Sequence, residues 1–179
     1  MTSGVTVPLQ SFLRDNGRWL GAGSALMFLS SFGQTFFISI FAGQIRAEFG
    51  LSHGDWGAIY SLGTTASAIV MVWAGTLTDV HRARVLGPLV LTGLAVACLG
   101  MALSPWAALL PVVIFLLRFF GQGMSSHIAV VSMARWFVAT RGRALSVASL
   151  GISVGEAFLP LIFVAAMAVI DWRVLWVVA

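Results

Sequence analysis

Five stretches of this chain run for about 20 residues or more with almost no charge, and the sequence ends as a sixth begins. A helix needs about 20 apolar residues to cross the ~30 Å hydrocarbon core of a bilayer. No water reaches the backbone there, so runs of this length span only as helices that satisfy their own N–H and C=O groups. The expected fold is therefore an all-α, polytopic transmembrane bundle. Its complete spans are expected at about 19–45, 55–78, 85–103, 106–135 and 143–170, with an incomplete one at 172–179. Residues 1–18 are read as an N-terminal segment and 19–179 as one transmembrane domain. Ser104 and Pro105 offer an N-cap and a first-turn proline for span four. A soluble fold is excluded, because with 59% hydrophobic and 9% charged residues the polar surface is too small to cover a globule. The first apolar run, at roughly 26 residues, exceeds the ~7–15 of a cleaved secretory signal, so it is expected to be retained.

Arginine placement sets the orientation. Arg14, Arg18, Arg82, Arg84, Arg135, Arg141 and Arg143 fall on one side, Arg46 and Arg173 on the other, and Arg118 lies inside a span. That asymmetry puts the N-terminus in the cytoplasm of a multi-pass protein of the cell membrane, expected to be a bacterial inner membrane. The net charge of +4 does not indicate nucleic acid, since the arginines are spread over short loops rather than gathered on one face. Cys98 is the only cysteine, which excludes disulfide frameworks and cysteine metal sites. No cofactor is expected, and the lipid bilayer is the first partner. Small residues at four-residue spacing (Gly57, Ser61 and Thr65; Gly93 and Ala97; Gly151 and Gly155) mark close helix approach. Trp19, Trp106, Trp136 and Trp172 fall near span ends, where an aromatic belt forms.

Between spans two and three stands Gly75-Thr76-Leu77-Thr78-Asp79-Val80-His81-Arg82-Ala83-Arg84. Span four carries Arg118-Phe119-Phe120-Gly121-Gln122-Gly123, and span five opens on Arg141-Gly142-Arg143-Ala144 with Gly151, Gly155 and Pro160 along it. Asp171-Trp172-Arg173 opens span six. Together these residues resemble the N-terminal six-helix half of a major facilitator superfamily transporter, over nearly the whole chain. The loop departs from the family pattern at Val80, Arg82 and Ala83, where a basic residue, a glycine and a basic residue are common. Gly75, Leu77, Asp79 and Arg84 are retained. The resemblance implies a gating role for Asp79, with Arg84 as its expected partner and Arg82 as a further candidate. It also implies helix-packing roles for Gly121, Gly123, Gly151, Gly155 and Pro160. Spans four and five resemble the monocarboxylate and oxalate/formate branches, which implies a small organic anion as substrate.

Arg118 and Glu156 are the charges placed deep in the membrane. At ~1.5 Å per residue, Arg118 lies roughly 25 Å from Arg135 and Glu156 about 20 Å from Arg143. A charge at a span centre costs ~2.5–3.5 kcal/mol even on insertion-derived scales, so both are expected to face the bundle interior or a wet cavity. Three uses stay open: a pair that couples proton movement to substrate, an unpaired Arg118 that binds an anionic substrate, and a permanent ion pair that locks spans four and five. Gln34 and Gln122 are candidates for hydrogen bonds to substrate or to a neighbouring helix.

The leading function is thus secondary active, proton-coupled transport of a small organic anion by alternating access. No nucleotide-binding loop ending in lysine exists in a chain without lysine. An intramembrane serine hydrolase is the rival reading, because His127 adjoins Ser125 and Ser126. Adjacent helical residues point about 100° apart, so Ser126 and His127 form no dyad by themselves. An interhelical hydrogen bond is the expected use of His127. A non-transporting scaffold subunit is the third reading. The start of span six covers only about 12 Å. Residues 1–179 are therefore expected to be a truncated half that needs a C-terminal six-span half and does not transport alone.

Overall fold

The computed structural model describes residues 8–179, and every regular element among them is helical. Five helical spans are long and apolar enough to cross a membrane: span one Leu9–Ile40, span two His53–Val80, span three Ala83–Ala102, span four Ala107–Trp136 and span five Arg141–Ala166. A short helix, Trp172–Val178, closes the chain. Residues 1–7 of the expected N-terminal segment lie outside the described residues.

Several boundaries differ from those expected, each for a local reason. Span one starts at Leu9 rather than near 19, because Pro8 at its N-cap has φ −55°, already the value a first turn needs. Phe12 then anchors the added turns against Phe137, ring centres 5.6 Å apart. Span four opens with a 3₁₀ turn at Ala107–Leu109 and takes Pro111, not Pro105, into the first α-turn. Ser104 is not its cap, since its carbonyl is engaged by Arg173 and its hydroxyl is buried without a partner. Span two does start where a cap is written: the Ser52 hydroxyl accepts from the Asp55 amide and the Asp55 carboxylate accepts from the Ser52 amide. Before it, Gly50 ends the helix Ala42–Phe49 at φ 64°, a conformation glycine adopts freely.

Two spans are irregular inside the bundle, and both irregularities matter for the site. Span one breaks at Ser30–Gly33, a 3₁₀ turn followed by extended Gln34 (φ −82°, ψ 154°). Span four widens into a π-helical segment at Arg118–Ser125. The two meet backbone to backbone: a Cβ on Gly33 would lie 2.2 Å from the Leu117 carbonyl oxygen, and one on Gly121 2.6 Å from the Gly33 Cα. No side chain fits there, which is why glycine stands on both sides.

Span five packs along span one by the same device. A Cβ on Gly151 would sit 2.1 Å from the Ser24 carbonyl oxygen, and one on Gly155 2.1 Å from the Ser31 hydroxyl. On span two the expected small-residue stripe is displaced. Gly57, Ser61 and Thr65 are exposed, whereas Gly63 and Ser67 are buried, with a Cβ on Gly63 coming 2.7 Å from the Pro111 carbonyl oxygen. Four-residue spacing occurs on two faces of that helix, and spacing alone does not say which one is covered. Within the largest core cluster of the described residues lies an aromatic group: Phe37 contacts Phe32, Phe41, Phe163 and Trp176 with ring centres 4.9–5.4 Å apart. This ties the terminal helix to spans one and five.

Candidate functional site

Span one's break exposes a backbone carbonyl, and Arg118 uses it. Its Nη1 donates to Thr35 Oγ1 at 3.0 Å and to the Gly33 carbonyl at 3.3 Å. Tyr60 of span two completes the seat, donating to Thr35 Oγ1 at 3.0 Å while its ring centre lies 5.8 Å from the guanidinium carbon. Arg118 is 9% exposed and has no carboxylate partner among the described residues. It opens onto a cleft of about 420 Å³ between spans two and four, lined also by Gln122, Ser126, His127, Thr64 and Ser67. The hydroxyls of Thr64 and Ser126 are buried there without a hydrogen-bond partner among the described residues. A fixed cation beside free hydroxyls and an amide is a donor-rich wall, suited to accepting an oxyanion.

Glu156 is not part of this arrangement. It is exposed and makes no hydrogen bond or ion pair among the described residues, so it does not meet Arg118. The cause is helical rotation: Gly151 and Gly155 turn one face of span five onto span one, and Glu156 points about 100° away from Gly155. Gln34 caps the break in span one without a side-chain hydrogen bond and does not line the cleft, whereas Gln122 does.

The same cleft wall leads to the loop motif. His127 Nε2 lies 3.2 Å from the Gly75 carbonyl and 3.3 Å from Thr78 Oγ1, and Thr78 Oγ1 donates to that same carbonyl at 2.9 Å. About two turns further along span four, Arg135 donates to the Thr78 carbonyl at 2.6 Å and forms an ion pair with Asp79. Span four thus grips the last turns of span two at two points. A Cβ on Gly75 would come 3.6 Å from His127 Nε2, an ordinary van der Waals contact, so the grip of span four does not itself require glycine there. Arg84, the expected partner of Asp79, makes no hydrogen bond or ion pair among the described residues, and neither does Arg82. His81 and Arg82 are extended (ψ 147° and 138°) and carry both arginines away from the carboxylate. They stand on a cavity of about 740 Å³, distinct from the cleft beside Arg118, lined by spans one, three and four and by Thr78, Asp79 and Val80 at the end of span two.

A family model described as Major Facilitator Superfamily matches residues 23–179. The chain belongs to the major facilitator superfamily. No curated protein and no solved structure gives a significant match. Members of the superfamily are membrane transporters, and this one is a multi-pass membrane protein with an all-helical bundle. Ser126 and His127 of span four form no hydrolytic dyad: Ser126 Oγ has no partner among the described residues, and His127 is turned to Gly75 and Thr78.

At the opposite end of this superfamily bundle, Arg173 clasps three elements. Its guanidinium donates to Glu48 Oε1 at 2.7 and 3.0 Å, to the Ala102 carbonyl at 2.7 Å and to the Ser104 carbonyl at 2.8 Å. Trp172 Nε1 donates to Glu48 Oε2 at 2.7 Å. The Arg173 hydrogen bonds hold the Glu48 carboxyl below its ordinary range, against the opposing pull of partial burial. Asp171 caps the helix by accepting from the Arg173 amide at 2.8 Å. Sequence reading gave Arg135 no role beyond topology and depth, and placed Arg173 only in the topology count and in the family-like Asp171-Trp172-Arg173. The available signal was that spans two and four run the same way, so their ends, Asp79 and Arg135, share a face.

Proposed function

We propose that this chain belongs to the N-terminal six-span half of a secondary active transporter for a small organic anion, coupled to protons and working by alternating access. Arg118 binds the carboxylate or comparable oxyanion in the cleft between spans two and four, with the Thr64 and Ser126 hydroxyls and Gln122 as further donors. The Asp79–Arg135 pair and His127 form the gate at the arginine-rich, cytoplasmic end. A second six-span unit supplies the other wall of the pathway. Glu156, an unpaired carboxylate within a span, is the proton carrier in this reading. Likeness of spans four and five to the monocarboxylate and oxalate/formate branches favours short carboxylates as cargo.

The observation that carries the proposal is Arg118: a buried cation with no anionic partner among the described residues, beside two hydroxyls that have no hydrogen-bond partner among them either. A structural ion pair would have had its carboxylate. Retaining an unpaired guanidinium at ~2.5–3.5 kcal/mol demands a compensating anion at some stage of the cycle. The test is uptake of labelled mono- and dicarboxylates by the complete protein in proteoliposomes under an inward proton gradient. Arg118→Ala is expected to cost about 100-fold in transport, by analogy with a lost charge-assisted hydrogen bond of ~1.5–3 kcal/mol. Glu156→Gln is expected to abolish gradient-driven uptake while sparing counterflow exchange. Carboxylate uptake untouched by Arg118→Ala would sink the assignment.

A further inference from the structure

Arg82 and Arg84 are left over by the gate, and their surroundings assign them another task. Both are exposed and make no hydrogen bond or ion pair among the described residues, yet both rim the cavity of about 740 Å³ between spans one, three and four and the end of span two. The other ionisable groups on it are His81, Asp79 and Arg135, and the last two neutralise each other. The mouth therefore carries the charge of two unopposed arginines. Behind it the wall is hydrocarbon, including Ala25 and Leu29 of span one, Leu91 of span three, and Ile128 and Val131 of span four.

The cavity's depth matches one leaflet. Its lining on span one descends from Trp19 to Leu29, about 15 Å at ~1.5 Å per residue, which is half of a ~30 Å hydrocarbon core. Trp19 and Trp136 meet at the mouth with ring centres 5.0 Å apart, the pairing expected at headgroup level. Gly87 confirms the void: it is buried, yet a Cβ built on it meets no atom within 4 Å. A small hydrophilic anion would leave the apolar wall wet, and an uncharged chain would leave two guanidiniums unused.

We infer that this cavity is a binding site for one anionic phospholipid of the leaflet facing the arginine-rich loops. Its phosphate lies between the Arg82 and Arg84 guanidiniums, whose forked donors suit phosphate oxygens, and one acyl chain fills the slot past Gly87. Arg82, which stands where a glycine is common, thereby gains a function the gate does not give it.

Lipid binding read directly tests this without reference to transport. The delipidated chain is titrated with phosphatidylglycerol and phosphatidylethanolamine of matched acyl chains and bound lipid is counted by native mass spectrometry. One phosphatidylglycerol is expected to bind about 30-fold more tightly than phosphatidylethanolamine, from roughly 1 kcal/mol per arginine near anionic headgroups. Arg82→Gln/Arg84→Gln should erase that preference, and Gly87→Phe should weaken both lipids by occupying the chain slot. Circular dichroism checks that the variants remain helical, and if Gly87→Phe does not, the double arginine variant decides alone. Equal binding of the two lipids, an unchanged preference in the double variant, or displacement by acyl-free glycerophosphoglycerol at the same concentration as the lipid would each overturn the site.

Discussion

Asp79 shows what a single residue's neighbours in sequence do and do not reveal. A carboxylate near the C-terminal end of a helix faces the negative end of the macrodipole, so a cation is needed beside it. That need is legible from the sequence, whereas its supplier is not. Arg84 is close along the chain, but the extended turn through His81 and Arg82 carries it off, and Arg135 arrives from span four. Both partners are at least half exposed, so the pair contributes less than ~1 kcal/mol to stability and its effect is local. Hydrogen exchange of the Gly75–Val80 amides measures that effect. Arg135→Gln is expected to speed exchange there several-fold, and Arg84→Gln to leave it unchanged. The reverse pattern would restore Arg84 as the partner. Arg118 follows the same logic in the interior: its depth could be counted off the sequence, but its contacts with Gly33 and Thr35 depend on a break in span one.

Elements were legible where length and hydropathy decide them and obscure where helices deviate from α-geometry. The five spans followed from runs of apolar residues. The 3₁₀ break at Ser30–Gly33 and the π-helical stretch at Arg118–Ser125 did not, because periodicity rules assume an unbroken 3.6-residue turn. A run of Ser30, Ser31, Gly33 and Gln34 inside an apolar span was the sign of the first. The terminal helix depends on another feature without a local signature, the clasp of Glu48 by Arg173 and Trp172. Because its folded-state pKa is lowered, Glu48 contributes through this clasp above the ordinary glutamate value, and the contribution is lost as pH falls from there through the folded value. Exchange protection of the helix Trp172–Val178 is therefore expected to be flat around neutrality and to fall in acid below pH ~4.5. Glu48→Gln should lower the protection at neutral pH and remove its acid dependence. A midpoint near that of an ordinary histidine, or an unaltered profile in Glu48→Gln, would place the dependence elsewhere.

For the whole molecule, arginine asymmetry and helix packing are independent constraints on the same arrangement. Charges in the loops orient the bundle across the membrane, while paired glycines such as Gly33 with Gly121 fix which helices touch inside it. Neither determines the other, so the orientation needs its own measurement. The connectors after spans three and four offer well-exposed positions: Trp106 is 68% exposed and Val138 75%. On a Cys98→Ala background, Trp106→Cys is expected to react with a membrane-impermeant maleimide added to intact cells, and Val138→Cys only after the membrane is opened. An odd number of crossings separates neighbouring connectors, so the two labels must behave oppositely if span four crosses at all. If both react from outside, the π-helical span fails to cross. If they react in the reverse order, the arginine-rich end faces outward, and with it the Asp79–Arg135 pair and the cavity rimmed by Arg82 and Arg84. The gate would then close the extracellular side, and the lipid would be drawn from the outer leaflet.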